Sequence, residues 1–360
     1  GTTGNPKGVL YSHRSTLLHA FSVLTIPGMN LGEESAVLPV VPMFHVNAWG
    51  VPYFAPMVGA KIVFPGPKLD GESLAELINN EGVTEAWGVP TVWLGLLGHM
   101  RKTEQKFTSL KRVLIGGSAA PRAMMREFQE KYGVEGLQGW GMTEMSPIGT
   151  VSMIRPKDAD LPLDRQFDIK AKQGRAVFGV EMKIVNDDGQ ALPRDGKSFG
   201  ELLVRGPAII SGYYENPEAS AKAFDSEGWF RTGDVSKIDP EGYMEIVDRT
   251  KDVIKSGGEW ISSIDLENEA VGHPEIAEAA VIAVHHPKWD ERPLLVVVRE
   301  PDSQLDKQGV IDYLSQRVAK WWLPDDVVFV DELPHGATGK LQKAKLREQF
   351  KDYSLPEVGG

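Results

Sequence analysis

The first eight residues, GTTGNPKG, have a composition suited to holding phosphate. Glycines let backbone N–H groups approach an anion closely, while Thr2, Thr3 and Lys7 add two hydroxyls and a cation. A Walker A loop is excluded, because that motif continues with Ser or Thr after its lysine and here Gly8 follows. Taken alone, such a segment is more often an ordinary loop, so phosphate binding depends on the motifs that accompany it.

Two further segments place acidic or small residues where a predicted strand ends. GWGMTE (139–144) presents Thr143 and Glu144 beside two glycines, and LIGGSAAP (114–121) opens into small residues that leave room for a flat ring. Ligands bind beyond the carboxyl ends of the strands in open parallel sheets. Glu144 is therefore a candidate ligand-binding group, although a lone carboxylate is more often a capping or surface residue.

Three polar residues later in the chain complete the candidate set. FRTGD ends in Asp234 and DRTKD (248–252) supplies Arg249, two groups suited to the hydroxyls of a ribose. HGATGK (335–340) puts Lys340 on a second glycine-rich loop, where the alternative interpretation is one more exposed lysine. Together these groups could hold the ring, the ribose and the phosphates of a nucleotide.

The elements that must position these residues alternate in type over residues 9–150, which predicts βα units and a mostly parallel sheet. The predicted strands are 36–41, 61–64, 83–88, 112–117 and 134–141. The predicted helices are 73–80, 91–100 and 121–132.

After residue 150 the pattern changes. The polar stretch 154–174 is predicted to be an irregular loop or lid, and hairpins over 180–206 and 235–249 predict an antiparallel β subdomain. A boundary near 248–252 leads into an α+β pattern of about 110 residues, a normal size for a small domain. Its predicted elements are helix 262–272, strands 277–284 and 293–299, helix 310–321, strand 326–333 and helix 343–350.

Composition excludes several classes of function. The net charge of −11 argues against non-specific binding of nucleic acid, which depends on a basic face. The chain has no cysteine, so any thiol chemistry must use a thiol of the substrate. No apolar run approaches the roughly 20 residues of a membrane helix. Residues 1–30 show no secretory pattern, and a cytoplasmic location is expected.

Eight motifs together resemble a known family. GTTGNPKG, VPMFH, GGSAAP, GWGMTE, GYYENPE, WFRTGD, DRTKDVIKSGGEWIS and HGATGK occur in the order seen in AMP-forming acyl-CoA synthetases, members of the adenylate-forming superfamily. The resemblance runs the whole length of the chain. VPMFHVNAW and SGGEWISSIDLENEAVGHP look most like medium- and long-chain fatty acyl-CoA synthetases and methylmercaptopropionate-CoA ligases.

The resemblance implies an α/β fold in three parts. Residues 1–175 would form the parallel-sheet part of a large adenylation domain, incomplete at its N-terminus, and 176–250 its antiparallel β subdomain. Residues 251–360 would form a small, mobile α+β C-terminal domain. Family members carry a large part before the phosphate loop, so the chain is expected to be a piece of a longer protein.

The resemblance implies a two-step reaction with ATP, a carboxylic acid and coenzyme A as substrates and Mg²⁺ as cofactor. The carboxylate attacks the α-phosphorus of ATP and releases pyrophosphate, and the thiol of coenzyme A then displaces AMP. Thr143 and Glu144 would contact the α-phosphate and Mg²⁺, and Lys340 would stabilise the charge that develops during adenylation. The implied ATP- and AMP-binding residues are Thr2, Thr3, Gly4, Lys7, Gly117, Ser118, Ala119, Gly139, Trp140, Gly141, Met142, Asp234 and Arg249.

For the second step, the resemblance implies a rotation of the small domain about Lys251. That rotation would bring a new set of residues to the thiol path, namely Lys255, Gly257, Gly258 and Glu259. The basic cluster Lys340, Lys343, Lys345 and Arg347 is interpreted either as a solvated helix face or as a contact for the phosphates of coenzyme A.

His45 and Trp49 mark the implied acyl path. His45 precedes VNAWGVPYFAPMVGA, which carries no charge before Lys61, and Trp49 lies four residues on, one helical turn away. The same apolar stretch could equally be plain core. The acyl group stays open between a medium- or long-chain fatty acid, a methylthio-propionate and an aryl acid.

Two other classes of function remain as alternatives. The chain could be a nucleotide-binding module that holds AMP without turnover, or a kinase or ATPase that transfers the γ-phosphate. The resemblance leaves a homodimer open.

Overall fold

The computed structural model describes residues 7–257, 259–335 and 341–356. The chain divides into a larger unit, residues 7–232 and 237–245, and a smaller unit, which holds 233–236 and the described residues from 246 onward. Some predicted site residues lie outside the described residues, namely Thr2, Thr3, Gly4, Gly258 and Lys340. The predicted boundaries at 175/176 and 250/251 stay predictions.

The helical segments of the described chain are α1 His13–Leu24, α2 Val46–Trp49, α3 Val51–Met57, α4 Gly71–Asn80, α5 Pro90–Thr103, α6 Arg122–Tyr132, α7 Leu163–Lys170, α8 Pro217–Ala223, α9 Ser263–Val271, α10 Lys307–Ser315 and α11 Lys343–Gln349, with 3₁₀ turns at Thr143–Met145, Pro156–Asp158 and Lys320–Trp322. The strands are β1 Ala36–Pro39, β2 Lys61–Ile62, β3 Glu85–Gly88, β4 Arg112–Ile115, β5 Glu135–Gly141, β6 Ile148–Val151, β7 Arg175–Ala176, β8 Glu181–Val185, β9 Phe199–Arg205, β10 Phe230–Ile238, β11 Met244–Arg249, β12 Ile254–Ser256, β13 Glu259–Ile261, β14 Ile276–His286, β15 Asp290–Arg299 and β16 Asp326–Phe329.

A seven-stranded sheet forms the centre of the larger unit, in the order β2-β1-β3-β4-β5-β6-β7. The first five strands pair in parallel, and β6 and β7 add to the edge in antiparallel fashion. This arrangement confirms the predicted α/β fold class with a parallel sheet. The predicted strands up to residue 141 and the predicted helices α4, α5 and α6 are all present.

Both faces of this sheet are covered by helices. Successive residues of a strand point to opposite faces, so each strand contributes side chains to both buried clusters. Val113 and Ile115 of β4 belong to the cluster that α4, α5 and α6 cover, while Leu114 belongs to the opposite cluster with residues of α1 and α3. A fully buried Val, Leu or Ile side chain contributes roughly 1.5–3 kcal/mol. Apolar burial on two faces therefore explains why consecutive residues of these short strands are apolar, as at 37–38 in β1 and 113–115 in β4.

The stretch 154–174 differs from its prediction as an irregular loop, because it contains helix α7. Phe167 of this helix is 1% exposed, and the guanidinium of Arg126 lies 4.9 Å from the centre of its ring. A single buried aromatic residue among charges gives no clear helical periodicity, and tertiary packing supplies what the pattern lacks.

A second sheet follows in the order β11-β10-β9-β8. β8 and β9 pair antiparallel over five residues, Glu181–Val185 against 201–205, as the hairpin pattern predicts. The turn between β10 and β11 is closed by a hydrogen bond from Asp239 N to Tyr243 O, at 3.0 Å. The division between the two units falls, along the chain, within β10 and β11.

The smaller unit contains a five-stranded sheet in the order β13-β12-β15-β14, with β16 parallel to β15. Helices α9 and α10 help to cover one buried cluster, and α11 contributes Leu346 to another. The predicted elements of this region are present, but helix 310–321 ends at Ser315 and strand 326–333 ends at Phe329. Beyond the helix, Ala319 leaves the helical backbone region, with φ −58° and ψ 140°, and precedes the 3₁₀ turn at Lys320–Trp322.

No helix in the ranges that the structure describes is long and apolar enough to cross a lipid bilayer.

Candidate functional site

The carboxyl ends of β4 and β5 lie side by side, because these strands are parallel neighbours. The small residues after β4 and the Thr143–Met145 turn after β5 therefore share one edge of the sheet. Ala120 N donates to the buried Gln138 Oε1 of β5 at 3.3 Å, which ties the two segments together. This is the edge at which open α/β sheets bind ligands.

Gly141 brings β5 into the turn that carries Glu144. A Cβ at this position would lie 2.0 Å from the carbonyl oxygen of Pro147, a distance that no side chain tolerates. The close approach allows Met142 N to donate to that same oxygen at 3.0 Å. Glycine is thus required here by backbone proximity, and it sets the start of the Thr143–Met145 turn.

The carboxylate of Glu144 lies in a small cluster of polar side chains. Tyr213 Oη donates to Glu144 Oε1 at 2.8 Å, and the ammonium of Lys7 lies 4.4 Å from the centre of the Tyr213 ring. Tyr11 Oη donates to the carbonyl oxygen of Thr143. We call Lys7, Tyr11, Thr143, Glu144 and Tyr213 the Glu144 cluster.

The two tyrosines of the Glu144 cluster remain hydrogen-bond donors. Burial, reinforced by the negative charge of Glu144, raises the pKa of Tyr11. Burial and the hydrogen bond to Glu144 raise the pKa of Tyr213 in the same direction. Their hydroxyls therefore stay protonated at neutral pH and orient the carboxylate and the adjacent turn.

The Glu144 cluster fits a magnesium ion that arrives with a nucleotide. Mg²⁺ is usually held by one or two carboxylates together with substrate phosphates, and Glu144 with Thr143 supplies one carboxylate and one hydroxyl. Within the described ranges, no group of three or more His, Cys, Asp or Glu side chains could form a metal cage of its own. Lys7 adds a cation beside this position, suited to phosphate.

The ATP- and AMP-binding residues implied after β4 and along β5 lie at the same edge of the sheet. Gly117 and Ser118 are exposed, and Ala119 is half-buried. On β5, Gly139 is half-buried and Trp140 is buried at 9% exposure. The structure brings these two segments together, while their role toward a base stays a prediction.

Asp234 and Arg249 form an ion pair, Oδ1 to Nε, at 2.8 Å. The carboxylate is buried and the guanidinium is partly exposed, with 46% of its side chain accessible. The backbone beside them is tied as well, since Thr250 N donates to Gly233 O at 2.9 Å. The pair that the sequence singles out is therefore assembled, and its role toward a ribose stays a prediction.

Residues 46–49 form a left-handed turn and not the right-handed turn that the spacing of His45 and Trp49 assumed. The φ angles of Val46, Asn47, Ala48 and Trp49 are 43°, 54°, 50° and 56°. Left-handed backbone costs roughly 1–2 kcal/mol for each such residue, most of all for a β-branched one such as Val46. Backbone strain of this kind concentrates at functional sites, where the surroundings must hold it.

Trp49 is 7% exposed and packs in the core of the larger unit. A Cβ at Gly116, at the end of β4, would lie 2.9 Å from the far edge of its indole ring. His45 precedes the turn and is half-buried. Trp49 is thus a core residue by burial and also a neighbour of the carboxyl edge of the parallel sheet.

The predicted thiol-path residues lie in the smaller unit around the β12–β13 hairpin. Lys255 is exposed, with its ammonium 5.1 Å from the centre of the Trp260 ring, and Gly257 has a φ of +59°. Glu259 begins β13 and is exposed. Lys251, the predicted hinge residue, is exposed on the segment that follows β11. Their roles stay predictions.

Three residues that sequence analysis did not single out contribute to this region: Tyr11, Tyr213 and His19. Tyr213 lies in the motif GYYENPE, so the motif could have drawn attention to it. Nε2 of the buried His19 accepts a hydrogen bond from Ile148 N at 2.9 Å, which ties α1 to β6. Burial lowers the pKa of His19 from 6.5 to about 4, so its ring is neutral.

Comparison with known proteins identifies the family. A model of AMP-binding enzymes matches residues 1–214, and a model of the C-terminal domain of AMP-binding enzymes matches residues 265–340. Since the first match covers more than half of the chain, the protein belongs to the AMP-binding enzyme family.

The chain is similar to characterised CoA ligases. It is 53% identical to the medium-chain-fatty-acid–CoA ligase of Ectopseudomonas oleovorans, over 99% of this chain and 64% of that protein. It is also 53% identical to the 3-methylmercaptopropionyl-CoA ligase of Ruegeria lacuscaerulensis, over 98% of this chain and 65% of the relative. The chain therefore spans slightly less than two thirds of the length of these relatives.

A solved structure shares the fold. The o-succinylbenzoate CoA synthetase MenE of Bacillus subtilis, in complex with its acyl-adenylate intermediate OSB-AMP, superposes with a TM-score of 0.84. The two sequences are 29% identical, and the match covers 99% of this chain and 69% of MenE.

Proposed function

We propose that this protein ligates a carboxylic acid to coenzyme A at the expense of ATP, through an acyl-AMP intermediate. A carboxylate oxygen attacks the α-phosphorus of ATP, and the bond to pyrophosphate breaks. The sulfur of coenzyme A then attacks the acyl carbon, and AMP leaves. Membership of the AMP-binding enzyme family and the similarity to two CoA ligases support this proposal.

The observation that carries the proposal is the Glu144 cluster at the carboxyl edge of the parallel sheet. A carboxylate held by Tyr213, a hydroxyl at Thr143 and the nearby cation of Lys7 are complementary to magnesium and to phosphate oxygens. In this proposal Glu144 and Thr143 hold Mg²⁺. When bound, the ion stabilises the charge that builds up on the leaving pyrophosphate.

The remaining roles follow the sequence expectations. Asp234 and Arg249 hold the ribose hydroxyls, and their ion pair supports that role. Residues 116–120 and 138–141 surround the adenine, and Lys340 stabilises the charge of the adenylation transition state. The rotation about Lys251 and the thiol path along Lys255, Gly257, Gly258 and Glu259 belong to the same proposal.

The proposed acid is a medium- or long-chain fatty acid, and 3-methylmercaptopropionate is the second candidate. Of the two relatives named above, one is a medium-chain-fatty-acid–CoA ligase and the other is a 3-methylmercaptopropionyl-CoA ligase. This chain is equally identical in sequence to both. The uncharged stretch 47–60 supports an apolar acyl chain. A homodimer and a cytoplasmic location stay predictions, which light scattering and cell fractionation of the full-length protein would check.

The test is pyrophosphate release by the full-length protein with ATP, Mg²⁺ and either octanoate or 3-methylmercaptopropionate, followed by thioester formation when coenzyme A is added. We expect release by the wild type. Glu144→Gln, which keeps the size and removes the charge, should lower the rate by about 10²–10³-fold, the size of effect seen when one charge-stabilising group is lost.

Three results would contradict the proposal in different ways. No release above background with AMP binding retained would indicate a nucleotide-binding module. Transfer of the γ-phosphate of ATP to a product, without formation of AMP, would indicate a kinase. If Glu144→Gln released pyrophosphate at the rate of the wild type, the Glu144 cluster would not be part of the active site.

A further inference from the structure

Helix α11 directs two cations toward the segment that carries Arg249. Lys343 and Arg347 are four residues apart and share one face of the helix. The ammonium of Lys343 donates to Ser263 Oγ at 2.5 Å and to Glu267 Oε1 at 2.7 Å. Arg347 forms an ion pair with Asp252. Interpretation of the basic cluster as a solvated helix face is therefore wrong for these two residues.

The Lys343 ammonium is largely shielded from solvent, with 12% of its side chain accessible. Although burial alone would lower its pKa, the carboxylates of Glu267 and Asp248 raise the pKa of Lys343 on balance. Glu267 in turn accepts from Val281 N at 2.7 Å. The lysine thus stays charged and joins α11 to α9 and, through Glu267, to β14.

Asp248 connects this charge to the backbone of the candidate site. Its side chain is fully buried, and its two oxygens accept from Arg249 N and from Ser263 N, each at 2.7 Å. Burial raises the pKa of Asp248, and the charge of Lys343 opposes that rise. Ser263 is consequently held from both sides, its amide by Asp248 and its hydroxyl by Lys343.

Asp248 and Asp252 bracket the three residues between them, which include Arg249. The Arg249 guanidinium lies on Asp234, at 2.8 Å. We propose that α11 positions Arg249: Lys343 and Arg347 fix the two ends of segment 248–252, so that the guanidinium stays paired with Asp234. This inference rests on the ribose-binding role of Asp234 and Arg249 in the proposed function. It makes Lys343 and Arg347 positioning residues that do not themselves touch the nucleotide.

The experiment compares the binding of two nucleotides to the full-length protein by calorimetry: AMP, and 2′,3′-dideoxy-AMP, which lacks the ribose hydroxyls. We expect the wild type to bind AMP more tightly. Lys343→Met should weaken AMP binding by roughly 10- to 100-fold, the size of one charge-assisted hydrogen bond, and should leave binding of the dideoxy nucleotide unchanged. Lys343→Arg, which keeps the cation, should restore discrimination between the two nucleotides.

A matched control is available next to the same helix. Lys351 pairs with Glu348 at 2.7 Å, with more than half of each side chain exposed. Exposed ion pairs contribute little, so Lys351→Met should change neither affinity. Removing Lys343 leaves Glu267 without its cation in a shielded site, and Lys343→Met could fail to fold. In that case Arg347→Met, at the more accessible end of α11, carries the test with the same expected loss of discrimination.

The outcomes separate this inference from the proposed function. A folded Lys343→Met or Arg347→Met that discriminates as well as the wild type overturns the positioning role alone. A wild type that binds both nucleotides equally overturns the ribose assignment and, with it, the inference. An equal loss of affinity for both nucleotides would show a general structural role and would also overturn the inference.

Discussion

The neutral imidazole of His19 should make the larger unit less stable in acid, and His19→Gln should remove that sensitivity. In the folded protein burial lowers the pKa of His19 from 6.5 to about 4, and Nε2 accepts from Ile148 N at 2.9 Å. Between these two pH values the unfolded chain binds a proton that the folded chain does not. The free energy of unfolding therefore falls as the pH is lowered from 6.5 to about 4.

The size of this effect follows from the pKa difference. A fall from 6.5 to about 4 corresponds to about 3 kcal/mol of unfolding free energy, fully lost below pH 4 and fully present above pH 6.5. Glutamine does not titrate, and its amide oxygen can replace Nε2 as the acceptor for Ile148. The variant should thus keep the hydrogen bond and lose the pH dependence.

The assay is urea unfolding at pH 4.5, 5.5, 6.5 and 7.5 for both proteins, and the quantity of interest is the difference between them at each pH. A difference is needed because burial raises the pKa of Glu85 to about 7, which makes stability fall as the pH rises from 4.5 to 7 and so opposes His19. That contribution is common to both proteins and cancels. A histidine NMR titration would give the pKa of His19 directly.

Parallel pH profiles for the wild type and His19→Gln would refute this reasoning. So would an NMR pKa of His19 near 6.5, because it would show that the ring is open to solvent when folded. A variant that loses the pH dependence but is much less stable than the wild type at pH 7.5 would show instead that glutamine fails to accept from Ile148.

Three substitutions test the proposed reaction. Lys340→Ala should nearly abolish acyl-AMP formation, while thioester formation from supplied acyl-AMP survives. Separate assays of the two half-reactions check this. An equal loss of both half-reactions would contradict two separate catalytic poses. Trp49→Ala should change chain-length preference or the KM for the acid more than the KM for ATP, and it should cost about 3–5 kcal/mol of stability because the indole is buried. Gly116→Ala, whose methyl group would lie 2.9 Å from the indole, should displace Trp49 and alter the same profile. An unchanged profile across short, medium and long acids would leave Trp49 a core residue.

Much of the sheet could be predicted from sequence, because strands that are buried on both faces are rich in apolar residues. Strand β1 is apolar throughout, and β3 and β4 are apolar after their first residues, Glu85 and Arg112, so βα alternation then implies parallel order. Helix α7 has no such pattern, because only one of its two buried residues, Phe167, is apolar, while the other is Lys170. Likewise the left-handed backbone of Val46–Trp49 runs against the local preference of these residues, so the sequence gives no sign of it.

The candidate site shows the same contrast. Glu144, Asp234 and Arg249 belong to motifs, and their positions follow from the resemblance. Tyr11 and Tyr213 reach the 143–144 turn from 132 and 69 residues away in the chain. A single tyrosine belongs to no repeating sequence pattern from which such a contact could be predicted, so the contact is seen only in the folded structure.

The left-handed turn over Val46–Trp49 is mechanically separate from the helix that follows it. Helix α3 begins at Val51 and has Pro52 in its first turn. Proline has no N–H to donate, and its ring obstructs a helix on its N-terminal side, so α3 cannot propagate backward into the turn. Gly50, at a φ of +85°, joins the two, because its N–H donates to Asn47 O and its carbonyl oxygen accepts from Tyr53 N. The change of backbone hand is therefore completed at one residue, and a substitution at Gly50 should disturb both the turn that carries Trp49 and the first turn of α3.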